Sequence, residues 1–290
     1  MKAVLAVDLM GAYSPAWNLF KGLRFQDSEV SLVNVVEPLL PDSSIPELGA
    51  SQPMAQILEE LQEAGRTLLD RVATEVPATS KEVVLGHAPT SIMQVADQHG
   101  AEMILIGSQK KSMFEMLFTG SVTRALASGS KQSLLIGKSD PRPSEGLSVV
   151  VCHDISDYSS RAIDKFVSLR PEGISKIVVV TANVTDPSIV AVMERTHPDL
   201  AGETVEIIKS RIDKSLETVA GTLRTVCNDV RTVVSEGSAN QVIDETYKSS
   251  KADLLVMGAQ GHGFLERLMI GSSAMHQVVR TDNNLLIVRA

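Results

Sequence analysis

Between residues 258 and 273 the chain reads GAQGHGFLERLMIGSS, a spacing suited to holding phosphate. Gly258 follows the apolar run ADLLVM, so the backbone can turn sharply where a buried strand ends and approach a ligand with no side chain in the way. Gly261 allows a second turn three residues on, and after nine intervening residues the chain returns at Gly271-Ser272-Ser273, just before AMHQVVR. A helix starting there offers free N–H groups, the positive end of its dipole and two hydroxyls, which together suit a phosphate. The plainer reading is a tight turn followed by a capped helix. Against it stand three glycines, a Gly-Ser at a helix start, a buried strand before them, and Asp154 at the end of another strand-like run in the same half.

The same passage occurs earlier as GSQKKSMFEMLFTGSV, residues 107–122. Gly107, Gly120, Ser121 and Thr123 persist, but Lys110 stands where the later copy has Gly261. A turn needing positive φ would be strained there, and the long side chain would enter the phosphate path. Lys110 therefore either fills an empty pocket or pairs its ammonium with a phosphate in an altered site.

Other reactive side chains form no comparable pattern. His87, His99, His153, His197, His262 and His276 lack metal-ligand spacing, so no metal site is expected. His262 and Arg267 lie within the phosphate motif, within reach of phosphate oxygens, and read equally well as solvated loop residues. The lysines of SQKKS, residues 108–112, are not set in a Walker pattern. Glu59, Glu60 and Glu63 read as the wet face of a helix, and Cys152 and Cys227 as two buried reduced thiols, too few and too far apart for a disulfide framework.

These motifs need elements to position them, and the chain supplies them twice. GAEMILIGSQ (100–109) lies over KADLLVMGAQ (251–260), and SLLIGK (133–138) over NLLIVR (284–289). Upstream, AVLAVDLM (3–10) corresponds to VVVCHDIS (149–156), which puts Asp8 over Asp154. Apolar runs predict strands at 2–8, 29–36, 81–85, 103–107 and 133–137, then at 147–153, 175–181, 230–235, 253–258 and 284–288. Amphipathic stretches predict helices at 14–23, 54–75, 90–99 and 120–128, then at 157–168, 209–228, 239–250 and 271–280. Strand, helix, strand with short connections makes a parallel sheet covered on both faces, with ligands at the carboxyl ends of strands where the strand order reverses. The stretch GKSDPRPSEG, 137–146, reads as an exposed linker.

Composition fits this picture and narrows it. The chain has 290 residues, 43% of them hydrophobic and only 3% aromatic, enough for two domains with aliphatic cores. A net charge of -8 argues against sequence-independent binding to nucleic acid, which needs Lys and Arg against phosphates. The start, MKAVLAVDLM, is unlike a signal peptide, and no apolar run approaches the ~20 residues that span a bilayer, so a cytoplasmic protein is expected.

With these residues in place, the chain resembles a tandem universal stress protein. In that family a glycine, two residues, a second glycine, nine residues and a Gly-Ser or Gly-Thr mark the members that bind ATP; Gly258, Gly261, Gly271 and Ser272 match. The resemblance implies two α/β, Rossmann-like domains of the adenine nucleotide alpha hydrolase-like kind, at 1–138 and 147–290. Each would be an open five-stranded parallel sheet in the order 3-2-1-4-5 with helices on both faces. It implies ATP, or ADP or AMP, with or without Mg²⁺, between the ends of strands 1 and 4 of the second domain. There Cys152, His153 and Asp154 would meet the nucleoside, the backbone near Ala182 the adenine, Met257 and Gly258 the ribose, and Gly261, Gly271, Ser272 and Ser273 the phosphates. Ala274 departs from the hydroxyl residue often found there in the family. The apolar last strands would pair as an intramolecular pseudo-dimer; whether whole chains form a homodimer is left open.

The function implied is nucleotide-dependent regulation in a stress response, with no catalytic residue to name. A scaffold that binds no nucleotide is one alternative. An enzyme that slowly hydrolyses ATP or transfers adenylyl groups is another, although the SGGxDS and HxGH signatures of related enzymes are absent from VDLMGAYS and CHDISDYS.

Overall fold

A computed structural model describes residues 1–38, 52–107, 116–142, 145–183, 195–196, 198–260 and 270–290. The first half runs β1 (Lys2–Ala6), α1 (Ser14–Leu23), β2 (Glu29–Val36), α2 (Gln52–Val72), β3 (Ala78–Leu85), α3 (Ala88–Gln98), β4 (Met103–Gly107), α4 (Met116–Gly129) and β5 (Ser133–Gly137). The second repeats it with β6 (Leu147–Cys152), α5 (Asp157–Ser168), β7 (Ile174–Asn183), α6 (Pro198–Leu223), β8 (Val230–Glu236), α7 (Ala239–Ser249), β9 (Leu254–Gly258), α8 (Ser272–Arg280) and β10 (Leu285–Val288).

Within each half the strands lie in the expected order and parallel, but the expectation of two separate five-stranded sheets is corrected. All ten form one sheet, β3-β2-β1-β4-β5-β10-β9-β6-β7-β8. Its only antiparallel step among these pairings is β5 against β10, Leu135 opposite Leu286. The reason is chemical: each last strand is a short apolar run whose outer N–H and C=O groups would otherwise form an open edge. Joined, Leu134, Leu135, Ile136, Leu285, Leu286 and Ile287 are at most 1% exposed. Such runs of Val, Ile and Leu are what parallel strands with both faces covered require.

Leu19 of α1, Leu69 of α2, Phe166 of α5 and Leu216 of α6 pack into one core. Ile92 of α3, Leu126 of α4, Ile243 of α7 and Val278 of α8 pack into the other. Most predicted boundaries fall within a few residues of those found. The exception is α6, expected at 209–228 and found at Pro198–Leu223. Its apolar periodicity begins only at buried Ile212, because Ile207 and Ile208 before it are exposed. Its end comes at a turn in which Val226 and Cys227 donate to the Leu223 carbonyl.

Candidate functional site

In the second half β6 pairs with β7 on one side and β9 on the other, so chain connections leave its carboxyl end in opposite directions. A crevice must open there. A cavity of about 490 Å³ occupies it, within the ~300–1,000 Å³ usual for small-molecule sites. Cys152, His153 and Asp154 reach it from the end of β6, Ala182 from β7, Met257 and Gly258 from β9, and Gly271, Ser272 and Ser273 from the start of α8. Gly261, with His262 and Arg267, lies outside the described residues, as does Lys110 of the first half.

The turn out of β6 is built by side chains. Asp154 Oδ1 accepts hydrogen bonds from the amide of Ser156, at 3.1 Å, and from its hydroxyl. Ile155 between them has φ 64°, a left-handed conformation rare for a β-branched residue and held by the contacts around it. Ser156 then caps α5, accepting from the Ser159 amide at 3.1 Å. Asp154 is thus a structural hinge as well as an acid at the crevice.

His153 is 2% exposed and already engaged at both ring nitrogens: Nδ1 lies 2.9 Å from Ser159 Oγ and Nε2 2.8 Å from Ser215 Oγ on α6. Burial pushes its pKa down, against the opposing pull of the Asp154 charge. Its ring therefore braces the wall, and neither nitrogen is spare for a ligand. Burial, with the charges of Asp154 and Asp244, pushes the Cys152 thiol up, so it stays protonated and is a poor nucleophile.

The other end of the cavity is made of backbone. Gly271 is the N-cap residue of α8 and has no side chain to cap it. Its own amide donates to the Ala259 carbonyl at 2.7 Å, which ties the helix start to the end of β9. The amides of Ser272, Ser273 and Ala274 meet no acceptor among the described residues. Free N–H groups at the positive end of a helix dipole are what an anion site requires. Gly271, at φ -66°, does not need to be glycine for its conformation. Gly258 owes its identity at least partly to packing, since a Cβ there would lie 3.2 Å from Ala162 Cβ and 3.3 Å from the Gln260 carbonyl oxygen.

Sequence reasoning missed Ser159, Val180, Ala239, Ile243 and Gln260, which complete the cavity. Ala239 and Ile243 carried a signal, being four apart at the start of a helix and so on one face. Ser159, three residues after the capping Ser156, could have been placed by the same logic.

The corresponding place in the first half is built differently. The β1–α1 connection spans 7–13, against 153–156 for β6–α5. It turns at Asp8, whose Oδ1 accepts from the Ala12 amide at 3.0 Å, and lies directly on the end of β4. A Cβ on Gly107 would be 1.3 Å from the Ala12 carbonyl oxygen.

The fold and crevice together define a doubled α/β protein with its cavity at a topological switch point. The chain belongs to the Universal stress protein family, whose model matches residues 19–138 and again 147–289. Among solved structures it is similar to a universal stress protein from Archaeoglobus fulgidus DSM 4304, at 17% identity and TM-score 0.62, over 99% of this chain and 96% of that one. A putative universal stress protein from Pseudomonas aeruginosa UCBPP-PA14 matches at 15% identity and TM-score 0.61, over 99% and 92%. At these identities the likeness is one of fold. No curated protein matches the chain. Among the described residues, no group of three or more His, Cys, Asp or Glu side chains could hold a metal ion, and no helix is long and apolar enough to cross a membrane.

Proposed function

We propose that the chain is a nucleotide-binding regulator that holds one adenine nucleotide, ATP or its products ADP and AMP, in the second half. The observation that carries this reading is that the amides of Ser272, Ser273 and Ala274, residues that line the switch-point cavity, meet no acceptor among the described residues. The phosphates would lie against those amides and the Ser272 and Ser273 hydroxyls, with Gly261 giving the intervening loop room to turn. Val180, Ala182, Ile243 and Met257 supply an apolar wall for a base, and Asp154 stands at the strand end beside it. Any Mg²⁺ would arrive on the phosphates, which keep most of its coordination in oxygen and water.

Regulation, not turnover, fits the chemistry. Rapid phosphoryl transfer needs a positioned nucleophile and a metal held by named carboxylates, whereas Asp154 is committed to the turn before α5. Residues 1–138 and 147–290 would then act as two domains joined through β5 and β10 as a pseudo-dimer, the first with its site closed. The Ala12 backbone on Gly107 supports that closure without recourse to Lys110.

The test is equilibrium binding of ATP to the wild type, Gly261→Glu and Asp154→Ala. Micromolar binding by the wild type, abolished by the carboxylate of Gly261→Glu and weakened about tenfold or more in Asp154→Ala, is the expected outcome. Equal affinity in all three would place the nucleotide elsewhere.

A further inference from the structure

Lys138 follows β5 and Arg289 follows β10 at equivalent places in the repeat. Each crosses the seam between the halves and grips the far end of the other half's cradle helix. The Lys138 ammonium donates to the carbonyls of Gln277, Val278 and Thr281, at 2.7, 3.0 and 2.8 Å, in the last turn of α8 and just beyond it. The Arg289 guanidinium donates to the Ala127 carbonyl near the end of α4. The backbone repeats the exchange: the Lys138 and Ser139 amides donate to Asn284 Oδ1 at 2.8 and 3.0 Å, and the Arg289 amide to Ser133 Oγ at 3.3 Å.

We infer that Lys138, a residue of the first half, is a positioning residue for the anion site of the second. The inference rests on the nucleotide reading above. Helix α8 has only nine residues, too short to hold its shape alone. At its N-terminal end the Gly271 amide is tied to the Ala259 carbonyl, while the amides of Ser272, Ser273 and Ala274 meet no acceptor among the described residues, so the hold on the far end matters to where those amides lie. Its final carbonyls are orphaned by helix geometry, and a buried-side cation there both satisfies them and complements the negative end of the dipole. Because the cation comes from the other half, the placement of the cradle depends on the seam. The two ends of α8 thereby couple nucleotide occupancy to the packing of the halves, and the closed first half has a purpose as the fixed support.

The exchange also separates the two contacts experimentally. ATP affinity is measured by calorimetry for the full-length wild type, Lys138→Met, Lys138→Arg and Arg289→Met, with hydrogen exchange of the α8 amides in nucleotide-free protein. Lys138→Met is expected to weaken ATP about five- to tenfold and to speed exchange across α8. Lys138→Arg restores most of both, and Arg289→Met, whose contact is with α4, changes ATP affinity less than twofold by comparison. If the wild type binds ATP and Lys138→Met binds it equally well, the inference is overturned while the nucleotide reading stands. If the wild type binds none, that reading fails, and unchanged exchange in α8 of Lys138→Met then overturns the inference on its own.

Discussion

His153 shows how one residue can brace a cavity wall with both ring nitrogens already engaged. Its two nitrogens are spent on Ser159 and Ser215, linking β6 to α5 and α6, and its charge-free form is favoured by burial. A free histidine titrates near ~6.5, and in the folded chain the value is lower. Between the two values the unfolded chain holds the extra proton, so stability is complete above about pH 6.5 and declines as the pH falls through the window towards the folded-state value. Urea unfolding of nucleotide-free protein at about pH 7.5 and about pH 5.5 should show the loss, at most about 1.4 kcal/mol per pH unit from this group. His153→Gln keeps hydrogen-bonding groups without the titration and should lose less over the same interval. An identical loss in both proteins would remove His153 from the account.

At the scale of elements, the two halves share a plan and differ in how a helix meets a strand end. Gly107→Ala would drive a Cβ to 1.3 Å from a backbone carbonyl oxygen, whereas Gly258→Ala would meet Ala162 Cβ at 3.2 Å and the Gln260 carbonyl oxygen at 3.3 Å. The first change should cost about 1–3 kcal/mol or more in urea unfolding, as overpacking does, and the second clearly less; equal losses would mean that the β1–α1 connection does not rest on β4. The contrast also marks what the sequence discloses. Apolar runs such as MILIG and LLVMG announced their strands, and the amphipathic register announced most helices. The start of α6 was hidden because Ile207 and Ile208, ahead of buried Ile212, are exposed and interrupt the apolar stripe. The closure at Gly107 was hidden because the group that covers it is the backbone of Ala12, which leaves no trace in side-chain pattern. At the candidate site, glycine and serine spacing pointed to Gly258, Gly271, Ser272 and Ser273, which the structure brings to one cavity, while the apolar wall of Val180 and Ile243 looked like ordinary core.

At the scale of the molecule, one ten-stranded sheet carries both repeats, and the seam between them is polar as well as apolar. Asp253, 5% exposed, accepts from the Arg142 amide at 3.1 Å, the Arg142 side chain at 3.0 Å and the Ser148 amide at 2.9 Å, so the linker is docked onto the second half as well as exposed. Asn284, next along, holds the Lys138 backbone, and Lys138 holds α8. A chain so joined, with an open cradle in one half and a covered strand end in the other, should hold one nucleotide, not two. Heat-releasing the nucleotide from protein saturated with ATP and freed of excess, then identifying and counting it, measures this directly. The expected result is about one adenine nucleotide per chain, with a thermal stabilisation equivalent to ~2.7 kcal/mol at a hundredfold excess over Kd. Two per chain would show the first half to be open, and none, with no thermal shift on adding ATP, would contradict the account.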